Sequence, residues 1–561
     1  MTMLHTLQDN FAKISHRGPD NSRFCVEGNR CIGFHRLAIN GLASSGDQPF
    51  NLLDCELICN GEIYNHKQLI HLYGFDDAYV SGSDCEVIIH LYRRFNGDMK
   101  ATLKELDGVF SLVLIDRLNN TVHIARDPFG VRSLYVGTFS NYERDISVAS
   151  EMKALQFCHE VKQFPGGCYM TLTQDQTKFE TKLEPYYSDL RLDDTLEVPY
   201  VYDFGKFTPL YLDDPNPPHE KLEIRACELL RNLFELAVCK RLMSERPVGC
   251  LLSGGLDSSI TTALVVKHMP PGTIVNTYAI GLEGSVDLKW ARRVADHLGT
   301  RHHEVCLTEQ QFLDAIETTI YQIESYDTTT VRASVGNYLV SKYIYNNTDN
   351  VVIFCGDMSD EIFGSYRGFT KAPNDDAFGS ENVRMVRDVR YFDLLRSDKS
   401  ISGAGLEARV PFADKTFLEF VMSLPPWMKR FGEGAEYEVE KHLLRKAFDG
   451  LLPDDVMWRR KEAFSDGVSG HDRTWVQIIK EYTDKRVSDV EVSIANDMNK
   501  YKHNPPYDKE SYYYRSVFAR HFPGKGRAET IPYFWRHPFC EGVLDPSARL
   551  LKDVYSAENQ S

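Results

Sequence analysis

From about Cys31 to Leu183 the apolar positions fall in short runs cut by Gly, Asn and Asp. CIGFHRLAI, LLDCELIC, GVFSLVLID, TVHIARD, ISVASE and GCYMTLTQ are rich in β-branched and aromatic residues, the pattern of strands separated by turns. This half is expected to be strand-rich and two-layered. One stretch departs from it. Val87, Ile88, Leu91 and Tyr92 recur at helical spacing, which predicts a helix over Asp84–Phe95 with SGSD as its N-terminal cap. Residues 2–14 are read as helical as well.

Between Pro185 and Glu220 the periodicity disappears into a stretch rich in Pro, Asp and Tyr, read as a linker or covering loop. Beyond it the pattern changes. A helix over Glu220–Ser244 precedes the strand VGCLLS, a Gly-rich turn, a helix over Ser258–His268, the strand IVNTYAIG, a helix over Asp287–Leu298 and the strand VVIFCG. Strands alternating with helices imply a parallel sheet with crossover helices. There is no internal repeat, and the segment after Pro546 is read as a tail.

Composition narrows this picture only a little. With 561 residues, 42% hydrophobic and 26% charged, the chain is an ordinary globular protein of two or three units. The 64 Lys and Arg against 80 Asp and Glu give a net charge of -16, which argues against nucleic acid as a partner. The 13 Cys form no CxxC pair, a usage that suits reduced thiols and a cytoplasmic location. No stretch approaches the ~20 apolar residues of a spanning helix, so no membrane partner is expected.

The strongest chemical signal is Ser253-Gly254-Gly255-Leu256-Asp257-Ser258-Ser259, placed between a buried strand and a helix. Two glycines let backbone N–H groups approach an anion, two hydroxyls add donors, and the helix directs its positive end at the same place. A carboxylate inside a phosphate cradle needs a cation, so Asp257 is assigned to Mg²⁺. A second cluster, Cys355-Gly356-Asp357-Met358-Ser359-Asp360-Glu361, follows Val351–Phe354, and Asp360 is read as a second ligand of the same metal. Lys461 is a candidate to neutralise a leaving pyrophosphate, and Arg332 to hold a substrate carboxylate. Each alone is more often a surface ion-pair partner.

SGGLDSS, TYAIG, YDTTTVRAS, GLEARVPF and KEAFSDG, with HRGPD, GFHRLAI, CNGEIYN, SGSD, LDGVFSLVLID and RDPFGVRSLY upstream, together resemble the asparagine synthetase family along nearly the whole chain. The resemblance implies an α+β N-terminal-nucleophile amidotransferase sandwich, then an α/β parallel-sheet domain of the adenine-nucleotide α-hydrolase type. The corresponding divisions are 1–190, a linker at 191–219, 220–545 for the synthetase (ATP pyrophosphatase) domain, and a tail at 546–561. It places ATP on Leu251, Ser253, Gly254, Gly255, Asp257, Ser258, Ile280, Cys355 and Gly356, with Asp357, Lys461 and Arg332 as catalytic residues. It places glutamine on Arg36, Asn60, Gly61, Glu62 and Asp84. Aspartate and ammonia or glutamine are the implied substrates, ATP and Mg²⁺ the cofactors, and a homodimer is compatible with it.

Two departures matter. The family opens with Met-Cys-Gly, whereas this chain reads Met1-Thr2-Met3 and reaches HRGPD early, so the first domain is expected to be truncated at its start and its glutaminase step is in doubt. The family's GEGSDE loop here reads Gly-Asp-Met-Ser-Asp-Glu. Asp357 is one methylene shorter, about 1 Å in reach, and Met358 stands where a glycine's backbone freedom is used. Two other readings therefore stay open: a catalytically impaired, nucleotide-binding regulatory paralogue, and a β-lactam-synthetase-like enzyme that adenylates a carboxylate.

Overall fold

The computed structural model describes residues 3–28, 30–139, 146–174, 179–187 and 218–547. Most of the linker and most of the tail inferred from sequence lie outside them. The first half carries β1 (Asn21–Glu27), β2 (Arg30–Arg36), β3 (Phe50–Leu52), β4 (Cys55–Ile63), β5 (Gly108–Asp116), β6 (Thr121–Arg126), β7 (Tyr135–Thr138), β8 (Ile146–Ala149), β9 (Glu160–Gln163), β10 (Cys168–Gln174) and β11 (Phe179–Pro185). An antiparallel sheet of order β11-β10-β6-β5-β4-β3 forms one layer; the hairpin β1-β2 and the sheet β8-β7-β9 are the other sheets of this half. Ile124 and Leu172 of the large sheet pack with Leu134, Ile146 and Val148, so the expected two layers meet through apolar side chains.

Residues Met3–Ala12 are helical, as read from sequence. The expected helix at Asp84–Phe95 is present in two pieces, a 3₁₀ turn at Asp84–Glu86 and an α-helix at Val87–Arg94. Its cap differs from expectation: Ser83 makes no side-chain capping bond. The Glu86 carboxylate instead accepts from the backbone N–H groups of Val80 and Ser81, and Asp84 accepts from Ile63 N–H. The acids of SGSDCE thus fasten the turn to its surroundings.

The second half holds a five-stranded sheet of order β14-β13-β12-β15-β16, comprising β12 (Val248–Leu251), β13 (Asn276–Leu282), β14 (Arg301–Leu307), β15 (Val352–Phe354) and β16 (Glu407–Arg409). Every pairing is parallel, with Gly249 opposite Asn276 and Val248 opposite Val352. β12, β13 and β15 are almost wholly buried, the burial that crossover helices on both faces impose on a parallel sheet. From β12 the chain steps to β13 on one side and later returns to β15 on the other. That reversal opens a crevice at the carboxyl ends of β12 and β15, where sheets of this kind receive ligands.

Past β15 the chain is mainly helical, an organisation the apolar pattern did not reveal. The helix Asp393–Ser402 shows why. Arg396, Asp398 and Lys399 are all buried, paired with carboxylates or cations from elsewhere, so charged residues occupy core positions. Several of these pairs join the halves: Asp398 binds Arg17 and Arg132, and Lys399 binds Glu324, whose carboxylate accepts from Met152 and Lys153 N–H.

Candidate functional site

The helix Leu256–His268 begins directly after the Gly-rich turn that follows β12, and Gly255 at its N-cap makes no side-chain capping bond. Gly254 has φ +72°, and a Cβ there would lie 2.3 Å from the Trp290 carbonyl carbon, so the turn admits no other residue without displacing the helix Val286–Leu298. The Ser253 and Ser258 hydroxyls lie 3.1 Å apart and Ser258 also donates to Gly255 O. The sequence expectation of a strand, a Gly-rich turn and a helix is therefore met.

The β15 loop runs alongside. A Cβ on Gly356 would lie 2.7 Å from Ser258 N, which fixes a glycine at this close approach. Ser359 Oγ donates to Asp257 Oδ1 at 2.8 Å, and Lys441 Nζ bridges the two expected metal carboxylates, 2.6 Å from Asp257 Oδ2 and 2.5 Å from Asp360 Oδ1. Lys461 Nζ also binds Asp360. Burial would raise the Asp360 pKa, but Lys441 and Lys461 overcome it and hold the carboxyl well below its usual range. Lys441 is itself held protonated: its burial is outweighed by Asp257 and Asp360. Lys441 already spans Asp257 and Asp360, and two carboxylates brought to one place suit a hard divalent cation.

Three expected residues sit differently from their sequence reading. Asp357 does not reach freely into the crevice: its carboxylate takes Arg396 Nη2 at 2.7 Å and the Ser397 hydroxyl. The Arg332 guanidinium is fully engaged by Glu510 and Asp545 and is not exposed to receive a ligand as it stands. Cys355 donates its backbone N–H to Arg409 O, and its thiol is buried and pushed well above its usual pKa by that burial and by Asp357. Met358 does adopt the left-handed backbone its glycine-like position suggested, with φ +75° and its side chain buried. Leu251 ends β12, and Ile280, in β13, is buried near Gly336 and Phe464.

Sequence reasoning missed Lys441, Arg396 and the Glu361–Tyr366 pair. Lys441 lies in EYEVEKHLL, which no motif marks, although its φ of +57° sets it apart in the structure. Glu361 accepts from the Tyr366 hydroxyl at 2.5 Å; burial, then Asp393 and Asp360, push its pKa up to about 8. Tyr366 in turn lies under Lys461, whose Nζ is 4.9 Å from the ring centroid.

In the first half, Arg36, Asn60, Gly61, Glu62 and Asp84 all line one cavity of about 1070 Å³. Arg36 is held by Asp47 at 2.6 Å and by the Ala43 and Gly41 carbonyls. Gly61 has φ +155°, and a Cβ there would strike Val109 O at 2.0 Å. Asn60 donates to Ser150 Oγ. Burial, with Asp84 and Glu407 adding to it, pushes the Glu62 pKa well up despite Arg409, while Asp84 rises to about 6, mainly through burial.

A family model described as "Asparagine synthase" matches residues 229–379 and 370–537, and one described as "Glutamine amidotransferase domain" matches residues 2–181. The chain is 42% identical to the asparagine synthetase [glutamine-hydrolyzing] of Gallus gallus, over 97% of this chain and 96% of that protein. It is 41% identical to the proteins of the same description from Homo sapiens and Pongo abelii, with the same coverage.

Proposed function

The chain belongs to the family of glutamine-hydrolysing asparagine synthetases, and from that premise we propose that it is an ATP-dependent carbon–nitrogen ligase that makes asparagine from aspartate. The observation that carries the reading is the crevice itself: SGGLDSS and CGDMSDE lie side by side, with Asp257 and Asp360 joined through Lys441.

ATP lies with its phosphates on the Gly254–Ser258 turn and its adenine toward Ile280. The side-chain carboxylate of aspartate attacks the α-phosphorus, and the bond to the β-phosphate oxygen breaks to give aspartyl-AMP and pyrophosphate. Lys441 and Lys461 offset the charge that collects on the departing pyrophosphate. Asp257 and Asp360 would hold Mg²⁺, which would supply further charge neutralisation when bound. Ammonia then attacks the acyl carbon, AMP leaves with the C–O bonding pair, and nitrogen loses a proton. Adenylation is required because a free carboxylate is a poor electrophile. Arg332 is assigned to the substrate's carboxylate, Asp357 to the amidation step, and the first-half cavity to glutamine, with Arg36 toward its carboxylate and Asn60 with Gly61 N–H toward an oxyanion. A homodimer and a cytoplasmic location complete the proposal; among the described residues no helix is long and apolar enough to cross a membrane.

Pyrophosphate release from Mg-ATP and aspartate, compared between ammonium and glutamine, tests this. Release with ammonium alone gives a working ligase with a silent glutaminase, and release with both gives the full coupled activity. Release with neither removes the ligase reading in favour of a regulatory paralogue, which the Arg396 and Ser397 bonds to Asp357 would then explain.

A further inference from the structure

Arg332 makes its guanidinium contacts with two carboxylates of different standing. Glu510 is one of them. It comes from the helix Lys509–His521, is buried to the same degree as the arginine, and receives Nε at 2.8 Å and Nη2 at 2.7 Å. The other is Asp545, which receives Nη1 at 2.9 Å and Nη2 at 3.2 Å. It lies in a stretch without regular secondary structure, and its side chain keeps 15% of its exposure. Its Oδ2 is shared with Lys480 Nζ at 3.0 Å, a lysine whose side chain is 45% exposed.

The segment carrying Asp545 bonds to both stretches that carry the expected cations, Arg332 and Lys461. Trp535 N–H donates to Asp327 Oδ1 at 2.7 Å, beside the threonines of YDTTTVRAS, and Ser547 Oγ donates to Asp466 Oδ1 at 2.8 Å, in KEAFSDG. Between them His537 is buried, which lowers its pKa. One aspartyl CH₂–COO⁻ therefore rests on the arginine expected to take a carboxylate of aspartate, and carries a second cation with it.

We infer that the Asp545 carboxylate occupies the seat of the substrate's carboxylate, so that Lys480 joins Arg332 in gripping aspartate and the segment 535–547 must withdraw before aspartate binds. This rests on the role proposed above for Arg332. The ion pairs to Asp545 are exchanged for ion pairs to substrate, and the competent form is the fraction in which the segment has left. Apparent affinity is reduced by that fraction, and weakening the internal contact raises it.

Calorimetric titration of the full chain with aspartate, in the presence of Mg²⁺ and a non-hydrolysable ATP analogue, tests it. Asp545→Asn, which keeps shape and loses charge, should bind aspartate about tenfold more tightly. Hydrogen exchange on the unaltered chain provides a check that no folding defect can confound: aspartate should speed exchange of amides in 536–547. If Arg332→Lys binds aspartate as well as the unaltered chain, the reading of Arg332 falls and this inference with it. If Arg332→Lys binds poorly but Asp545→Asn gains nothing or loses affinity, only the inference is overturned, as it is if exchange in 536–547 stays constant.

Discussion

The two sites of this chain treat charge in opposite ways. Around the first-half cavity the charged side chains are withdrawn into the walls: Arg36 is tied to Asp47, Glu62 to Arg409 and Asn40, and Asp84 to Ile63 N–H, leaving about 1070 Å³ of open space. In the second-half crevice the charges occupy the space themselves, with Lys441, Lys461, Asp257 and Asp360 bound directly to one another. A zwitterion with a neutral amide can enter the first without dismantling anything. On the function proposed above, a polyphosphate and a dicarboxylate would enter the second by replacing internal ion pairs with ion pairs of their own, an exchange of partners and not the filling of a void.

The largest effect expected from breaking this contrast is at Asp360. Asp360→Asn removes one carboxylate from Lys441 and Lys461 at once. Pyrophosphate release with aspartate should fall on the order of 10³-fold, with glutamine affinity, read by calorimetry, unmoved. Equal losses at both sites would show that the halves are not independent.

Glu361 sharpens the same point through pH. Its folded-state pKa, raised to about 8 from the usual 4.5, means that the folded chain holds a proton the unfolded chain releases. The stability linked to that proton is complete below about pH 4.5 and is lost as pH rises through about 8. Glu361→Gln, which keeps the acceptor for Tyr366, should melt with the unaltered chain near pH 5 and increasingly above it toward pH 8. Parallel melting curves across that range would place the proton elsewhere.

On the first-half side the matching change is Arg36→Ala. It leaves Asp47, whose side chain is 10% exposed, without its cation and with Asn21 Nδ2 still donating to it, and frees the Ala43 and Gly41 carbonyls. Breaking a buried pair by removing one partner costs about 3 kcal/mol. Denaturant unfolding should register that loss in the first half, and calorimetry should show weakened glutamine binding with ATP binding intact. A change confined to ATP would contradict the division of labour.

How far the sequence could be read follows the same division. SGGLDSS and CGDMSDE were legible because backbone conformation dictates their glycines: Gly254 and Gly356 sit where a Cβ would collide with main chain. Strand runs such as GVFSLVLID became β5 because mostly apolar residues fill that layer, with Ser111 and Asp116 buried among them. Lys441 and Arg396 were not legible, because a buried cation is specified by partners distant in sequence, Asp257 and Asp360 for one and Asp357 for the other. The helices beyond β15 escaped for the same reason, since paired charges at core positions erase the apolar period. Asp545 on Arg332 is a contact between residues 213 apart, which no local pattern announces.

Met358 supports the smallest prediction, in which two costs oppose each other. Its φ of +75° places a side chain in the left-handed region, a strain of about 1 kcal/mol that glycine would relieve. Its side chain is also 1% exposed and belongs to the main apolar core with Ile362 and Phe363. Removing a buried methionine side chain costs about 2–3 kcal/mol. Packing outweighs strain, so Met358→Gly should destabilise the second half by about 1–2 kcal/mol in denaturant unfolding. The same substitution frees the loop that carries Asp357 and Asp360. A stabilised Met358→Gly would mean that the loop stores more strain than its buried methionine offsets, and that the crevice is held closed by backbone tension as well as by its ion pairs.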